Sequence, residues 1–177
     1  MRRKSRASGA DPDGRRRADP PADPYTLALQ WLSVRELSAR QVQQRLARRD
    51  VPADAAADVV ARLRASGVLD DSRVARAAAR LETAVRGRGP GRARLKLKAL
   101  GLADSDVDQA LAAAYDEVDV ATLLDRALDK RLRRERGDLA NPATIRKIVG
   151  AMVRQGFAPG AVLARLRKRG TDVDDTD

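Results

Sequence analysis

Arg86, Arg88, Arg92, Arg94, Lys96 and Lys98 put six cations and no carboxylate into 13 residues. Such a run can bind anions, because clustered Lys and Arg raise the local concentration of phosphates and of acidic protein surfaces. Arg92 and Lys96 stand four apart, as do Arg94 and Lys98, so on a helix they form two basic ridges flanking Ala93 and Leu97. Like charges at that spacing destabilise an isolated helix by ~0.2–0.5 kcal/mol per pair, and their retention points to an outside partner. A second run holds Arg126, Lys130, Arg131, Arg133, Arg134 and Arg136, with Lys130, Arg131 and Arg134 as its candidate contacts. Asp125, Asp129 and Glu135 are interleaved there, and Asp129 with Arg133 has the acid-first spacing that favours a local pair. Arg165, Arg167, Lys168 and Arg169 close the last predicted helix, where cations complement the negative end of the macrodipole.

Other chemistry is poorly supplied. The chain has no His and no Cys, which removes imidazole and thiolate metal sites, Cys nucleophiles, disulfide scaffolds and Ser-His-Asp triads. Asp70-Asp71 reads as a helix N-cap, with no third ligand nearby to make it a metal site. Gly87-Arg88-Gly89-Pro90-Gly91 resembles a phosphate loop, but no strand precedes it and no Gly-Lys-Ser/Thr follows. Trp31 lies at helical spacing from Leu27 and Val34 and reads as core; one Trp, two Tyr and one Phe are too few for a base-stacking platform. The expectation is a binding protein that is not an enzyme and uses no cofactor or metal.

The elements that must carry the basic runs follow from the composition of the 177 residues. Hydrophobic residues make up 43% and aromatics 2%, so the core must be aliphatic, and Leu, Val and Ala at a spacing of three to four favour helices. Lys and Arg number 36 against 25 Asp and Glu. Residues 1–24 hold seven basic and four acidic side chains and residues 170–177 four Asp and no base, leaving 11 − 3 + 4 = +12 on 25–169. The first segment, with Pro12, Pro20, Pro21 and Pro24 and almost no large apolar side chain, reads as a disordered basic arm; 170–177 reads as a disordered acidic tail. Met1-Arg2-Arg3-Lys4 lacks a following apolar stretch, and no window approaches the ~20 apolar residues of a spanning helix. A cytoplasmic protein without membrane contact is expected.

Helix punctuation divides the middle. Ser38-Ala39-Arg40-Gln41 matches a capping box. Asp54, Asp70-Asp71, and Ser105 or Asp104 are candidate caps, and a third round starts near Asp119; Gly89-Pro90, Asn141-Pro142 and Pro159 open helices, and Gly67, Gly87, Gly101, Gly137 and Gly156 stop them. Val74, Ala78, Leu81 and Val85 form the expected apolar stripe of one helix, and a short helix follows Pro159. Three rounds superpose. Val42, Leu46, Asp50, Val51, Ala56 and Val60 map onto Ala93, Leu97, Gly101, Leu102, Val107 and Leu111, and then onto Ile148, Met152, Gly156, Phe157, Val162 and Leu166. The fold expected is all-α, an elongated curved array of three tandem three-helix repeats over 25–69, 70–117 and 118–169, flanked by the disordered tails.

Specific stretches then resemble the RecX family of regulators of the RecA recombinase. They are the helix start from Ser38 to Leu46; Gly67-Val68-Leu69-Asp70-Asp71-Ser72-Arg73-Val74-Ala75; Arg86-Gly87-Arg88-Gly89-Pro90 followed by Leu97 and Gly101-Leu102; and Lys130-Arg131 with Gln155-Gly156-Phe157. The resemblance covers about 25–169. It implies a protein that binds the RecA filament on single-stranded DNA and inhibits its recombinase, ATPase and coprotease activities, within DNA recombination, repair and the SOS response. Val74 stands where the family usually has Phe, and Ala93 where it has Ile or Leu, which thins the second core. The partners expected are the RecA filament and single-stranded DNA, with weak duplex binding by a monomer. The rival reading is a helix-turn-helix or architectural DNA-binding protein independent of RecA; Asp54, Asp58, Asp104, Asp106 and Asp108 oppose it by placing acid where phosphates would lie.

Overall fold

The computed structural model describes the backbone of residues 23–135 and 141–174, and the side chains of 23–134 and 141–169. The expected break at Gly137 and nearly all of the arm over 1–24 lie outside the described residues. Among the described residues nine α-helices follow in order: α1 Pro24–Val34, α2 Ala39–Ala47, α3 Ala53–Ala65, α4 Asp71–Arg80, α5 Pro90–Ala99, α6 Asp104–Asp116, α7 Val120–Glu135, α8 Pro142–Arg154 and α9 Pro159–Asp174. Residues Leu81–Val85 extend α4 by one π-helical turn. No described helix is long and apolar enough to cross a membrane. The last helix spans 16 residues and reaches Asp174, longer than the short helix expected after Pro159; the side chains of the acidic 170–177 segment lie outside the described residues.

Local chemistry explains most starts and stops. Ser38 and Gln41 close the capping box reciprocally, Gln41 N–H donating to Ser38 Oγ at 3.2 Å and Ser38 N–H to Gln41 Oε1 at 3.1 Å. Asp23, Asp70, Asp119 and Asn141 each accept from the first turn of the helix they precede. Asp54 and Asp104 do not cap: Pro52 and Ala103 hold the N-cap positions, and both carboxylates sit one or two residues inside the helix, where they still favour the positive end of the dipole. Gly67, Gly87, Gly101 and Gly156 all have positive φ, the left-handed geometry that ends a helix.

Burial gathers into three clusters along the chain. The first is built on Val42, Leu46, Val59, Val60 and Leu63, with Trp31 packed against it half-buried. Of the ten buried residues of the second, Ala75, Ala79, Ala93, Ala110 and Ala114 are alanines, so this core is built largely on small side chains. The third holds Leu123, Leu124, Leu128, Ile148, Met152, Phe157, Val162 and Leu166, and Tyr115 packs against both the second and the third. The superposed triplets occupy matching places. Val42, Ala93 and Ile148 are buried, as are Leu46, Leu97 and Met152, while Asp50, Gly101 and Gly156 all take positive φ.

The same contact joins successive units twice. Where α2 starts, Ser38 Oγ donates to the Leu100 carbonyl at 2.6 Å, and the Ala39 N–H donates to Asp71 at 2.8 Å. Where α5 starts, Gly89 N–H donates to the Gln155 carbonyl at 3.0 Å and Gly91 N–H to the Gly156 carbonyl at 3.1 Å. Each time the start of a unit's second long helix docks on the glycine turn of the next unit. A methyl group at Gly156 would lie 2.2 Å from the Arg92 amide nitrogen, so only glycine permits that approach.

Three apolar expectations change. Val34 is 82% exposed because α1 ends there. Leu81 and Val85 leave the stripe because the π turn inserts a residue, and one residue rotates a helix by ~100°. Glu82 and Thr83 turn inward in their place.

Candidate polyanion-binding surface

Inward rotation at the π turn sets the basic loop that follows. Glu82 is 4% exposed, and its carboxylate receives Arg86 Nη1 at 2.5 Å and Arg88 Nη1 at 2.8 Å. A buried carboxylate is tolerated only when paired, and here two guanidiniums do the pairing while they remain partly exposed. The Tyr115 hydroxyl donates to the Arg88 carbonyl at 2.8 Å and pins the loop from α6. Burial, with the Glu82 charge as a second cause, pushes the Tyr115 phenol up to about 12, so it stays a neutral donor.

The run from Arg86 to Lys98, free of acid in sequence, meets acid in space. Arg94 pairs with Asp108 at 2.5 Å and Lys98 with Asp104 at 3.0 Å, both carboxylates coming from α6. One of the two ridges is thereby neutralised across the helix pair. Arg92 and Lys96, on the other ridge, are exposed and have no ion pair among the described residues.

The second run is also rearranged. Asp129 pairs with Arg169 of α9 instead of Arg133, and Asp125 takes Arg165 at 3.3 Å and Arg169 at 3.2 Å. Arg165 and Arg169 therefore bind α7 to α9 instead of serving the end of their own helix. With its acids drawn to α9, α7 presents Arg126, Lys130, Arg131 and Arg134 to a cleft of about 350 Å³ whose other wall carries Arg86 and Gly87. Among the described residues no carboxylate lines this cleft.

Lys130, Arg131 and Arg134 thus meet Arg86 although more than 40 residues separate them in sequence. Arg88 stays behind on Glu82, while Arg92, Arg94, Lys96 and Lys98 lie along α5. Arg126 joins the cleft without having been singled out as a contact; its spacing of four from Lys130 was the available signal. Glu82 was missed as well, although it stands four residues before Arg86. Among the described residues no group of His, Cys, Asp or Glu could hold a metal ion. The site offers fixed positive charge and backbone shape, which suits a polyanion.

Comparison with known proteins gives the same fold a relationship. The family profile described as "RecX, first three-helix domain" matches residues 25–63. Regulatory protein RecX of Streptomyces coelicolor is 28% identical over 156 residues, covering 86% of this chain and 82% of that protein, and its counterpart in Streptomyces lividans matches equally. A crystal structure of regulatory protein RecX superposes with a TM-score of 0.71 at 26% identity, covering 79% of this chain and 68% of that one. RecX from Lactobacillus salivarius shares the fold, with a TM-score of 0.71 at 20% identity over 82% of this chain and 93% of the other. With a matching first domain, relatives alike along most of the length and an all-α architecture shared with solved RecX structures, the chain is similar to the RecX regulatory proteins.

Proposed function

We propose that this protein regulates RecA without catalysing a reaction, by binding the RecA filament on single-stranded DNA and inhibiting its recombinase, ATPase and coprotease activities. The observation that carries the nucleic-acid half of this reading is the cleft of Arg86, Arg126, Lys130, Arg131 and Arg134, which no carboxylate lines among the described residues. Phosphodiesters are its natural ligand, since guanidinium groups bind phosphate oxygens in bidentate fashion and clustered cations gain from counterion release. The likeness to proteins named regulatory protein RecX supports the RecA half. Arg92 and Lys96 extend the basic surface beyond the cleft, and the protein acts as a monomer whose contacts lie along one array.

The deciding measurement is the single-stranded-DNA-dependent ATPase of RecA, with this protein added from one-hundredth of the RecA concentration to equimolar in low salt. Inhibition at strongly substoichiometric ratios means capping of the growing filament; inhibition only near stoichiometry means coating of its groove. An unchanged ATPase refutes the reading, and tight sequence-selective duplex binding without RecA would replace it with the helix-turn-helix alternative.

A further inference from the structure

The joint between the second and third units has another side. Helix α7 turns Leu123 and Ala127 toward the basic cleft and Val120 and Leu124 toward a separate groove of about 1180 Å³. Leu95, Val153, Phe157 and Ala161 complete its apolar walls. Leu95 is 64% and Val153 43% exposed. Large apolar side chains left to water inside one concave surface mark an interaction site more than a folding requirement. The rim is charged unevenly. Arg92 and Arg154, both exposed and beside the Gly156 turn, have no ion pair among the described residues. Arg165 is bound to Asp125, and Asp119 is engaged in capping α7.

Nucleic acid fits this groove poorly. It would need exposed rings to stack its bases, and the one ring in the wall, Phe157, is 3% exposed. We propose that the groove docks a protein segment with two or three apolar side chains at helical spacing, followed by carboxylates that meet Arg92 and Arg154. The apolar side chains would cover Leu95 and Val153, and the acidic end would neutralise the uncompensated guanidiniums. That RecA supplies the segment rests on the functional reading above; the groove and its ligand chemistry do not. Protein and phosphate would then be held from opposite sides of one joint.

Two probes test this on the full chain. The first is a fluorescent peptide with leucines at helical spacing followed by aspartates, set against the same peptide ending in lysines. The aspartate peptide is expected to bind more tightly by about tenfold, the scale of two exposed charge pairs set against two like-charge contacts. Leu95→Gln with Val153→Gln should abolish that binding and leave the melting temperature and oligo(dT) affinity unchanged, since both side chains are exposed and neither lines the basic cleft. Equal binding of the two peptides, or of wild type and variant, or no binding, overturns the groove. Self-association that the double substitution removes overturns the proposed partner in favour of a second copy. The second probe is the RecA filament on oligo(dT). Loss of filament binding in the double variant supports the assignment to RecA, wild-type binding undisturbed by it removes the groove from filament recognition, and a wild type that ignores the filament refutes the regulatory reading alone.

Discussion

Alanine at three positive-φ glycines separates the strain of a turn from the loss of a joint. Gly67, Gly101 and Gly156 have φ of 70°, 76° and 96°, so each pays about the same left-handed penalty, ~1–2 kcal/mol, partly offset by about 0.4–1 kcal/mol from a stiffer unfolded chain. A methyl at Gly67 meets nothing within 4 Å, and Gly67→Ala should destabilise by ~1 kcal/mol. At Gly101 the methyl meets the Arg40 side chain, whose δ-carbon at 2.0 Å can swing aside and whose β-carbon at 2.8 Å can move only with the backbone. That variant should fall between. At Gly156 the obstacles are backbone: Arg92 N at 2.2 Å and Gly89 O at 2.7 Å. The joint must separate, and the hydrogen bonds from Gly89 and Gly91 go with it. At ~1 kcal/mol net per bond, added to ~1 kcal/mol of turn strain, Gly156→Ala should lose ~3 kcal/mol. Urea unfolding followed by circular dichroism reads all three. Because a repeat array is held by interfaces between neighbours, the Gly156 variant should also broaden the transition or split it. Equal destabilisation of Gly67→Ala and Gly156→Ala would refute the claim that the backbone contact at Gly156 holds the second and third units together.

Other outcomes follow from the charges and caps. Lys130→Glu with Arg134→Glu should weaken oligo(dT) binding and lower the log–log salt slope by ~1.4, two phosphate contacts at ~0.7 each; an unchanged slope in fluorescence anisotropy would move the DNA site off the cleft. Glu82→Gln keeps the shape but loses the charge that holds Arg86 and Arg88, and should lower stability by ~1–2 kcal/mol in thermal unfolding. In an ultraviolet titration the same variant should bring the Tyr115 phenol down only part of the way from about 12, because burial is the larger cause of its rise. Asp23, Asp70 and Asp119 are held below the usual carboxylate range, chiefly by hydrogen bonds from Thr26 N–H, Arg73 N–H and the Thr122 hydroxyl. A lowered folded value means the stability is complete above the unfolded value of ~3.9 and is lost as pH falls through the folded one. Helicity should therefore decline below about pH 4, and Asp70→Asn, which caps without titrating, should flatten that acid limb of the stability curve.

What could be read from the sequence was local or periodic. The Ser38–Gln41 box spans four residues and needs nothing from elsewhere in the chain. Burial at Val42, Ala93 and Ile148 and at Leu46, Leu97 and Met152 follows from helical spacing repeated three times. What misled was local pairing that lost to tertiary pairing. Asp129 is well spaced for Arg133, but α9 brings Arg169 to it. The run from Arg86 to Lys98 looks free of acid, but α6 supplies Asp104 and Asp108 and the π turn supplies Glu82. A π turn inserts one residue into an otherwise regular stripe, so no periodicity foretold that Leu81 and Val85 would face water while Glu82 faced in. The basic cleft was half legible: both of its walls were basic runs in sequence, and only the fold sets Arg86 against Lys130.

Asp50 shows how the same repeat logic varies between units. It holds the place of Gly101 and Gly156, with φ of 58° where theirs are 76° and 96°, and Asp is among the few side chains that tolerate the left-handed region as single residues. Gly101 and Gly156 must be glycine or nearly so because the start of the preceding unit's helix lies against them, Arg40 on one and Arg92 on the other. Asp50 belongs to the first unit, and among the described residues nothing docks on its turn; its side chain is exposed. The side chain of Asp50 is tolerated because no described helix start approaches its turn, whereas at Gly101 and Gly156 the approaching residues leave no room for one. The departure from glycine at Asp50 therefore looks like a flaw in the repeat when read as sequence, and in the structure it marks the one of the three matching turns on which no described helix start is packed.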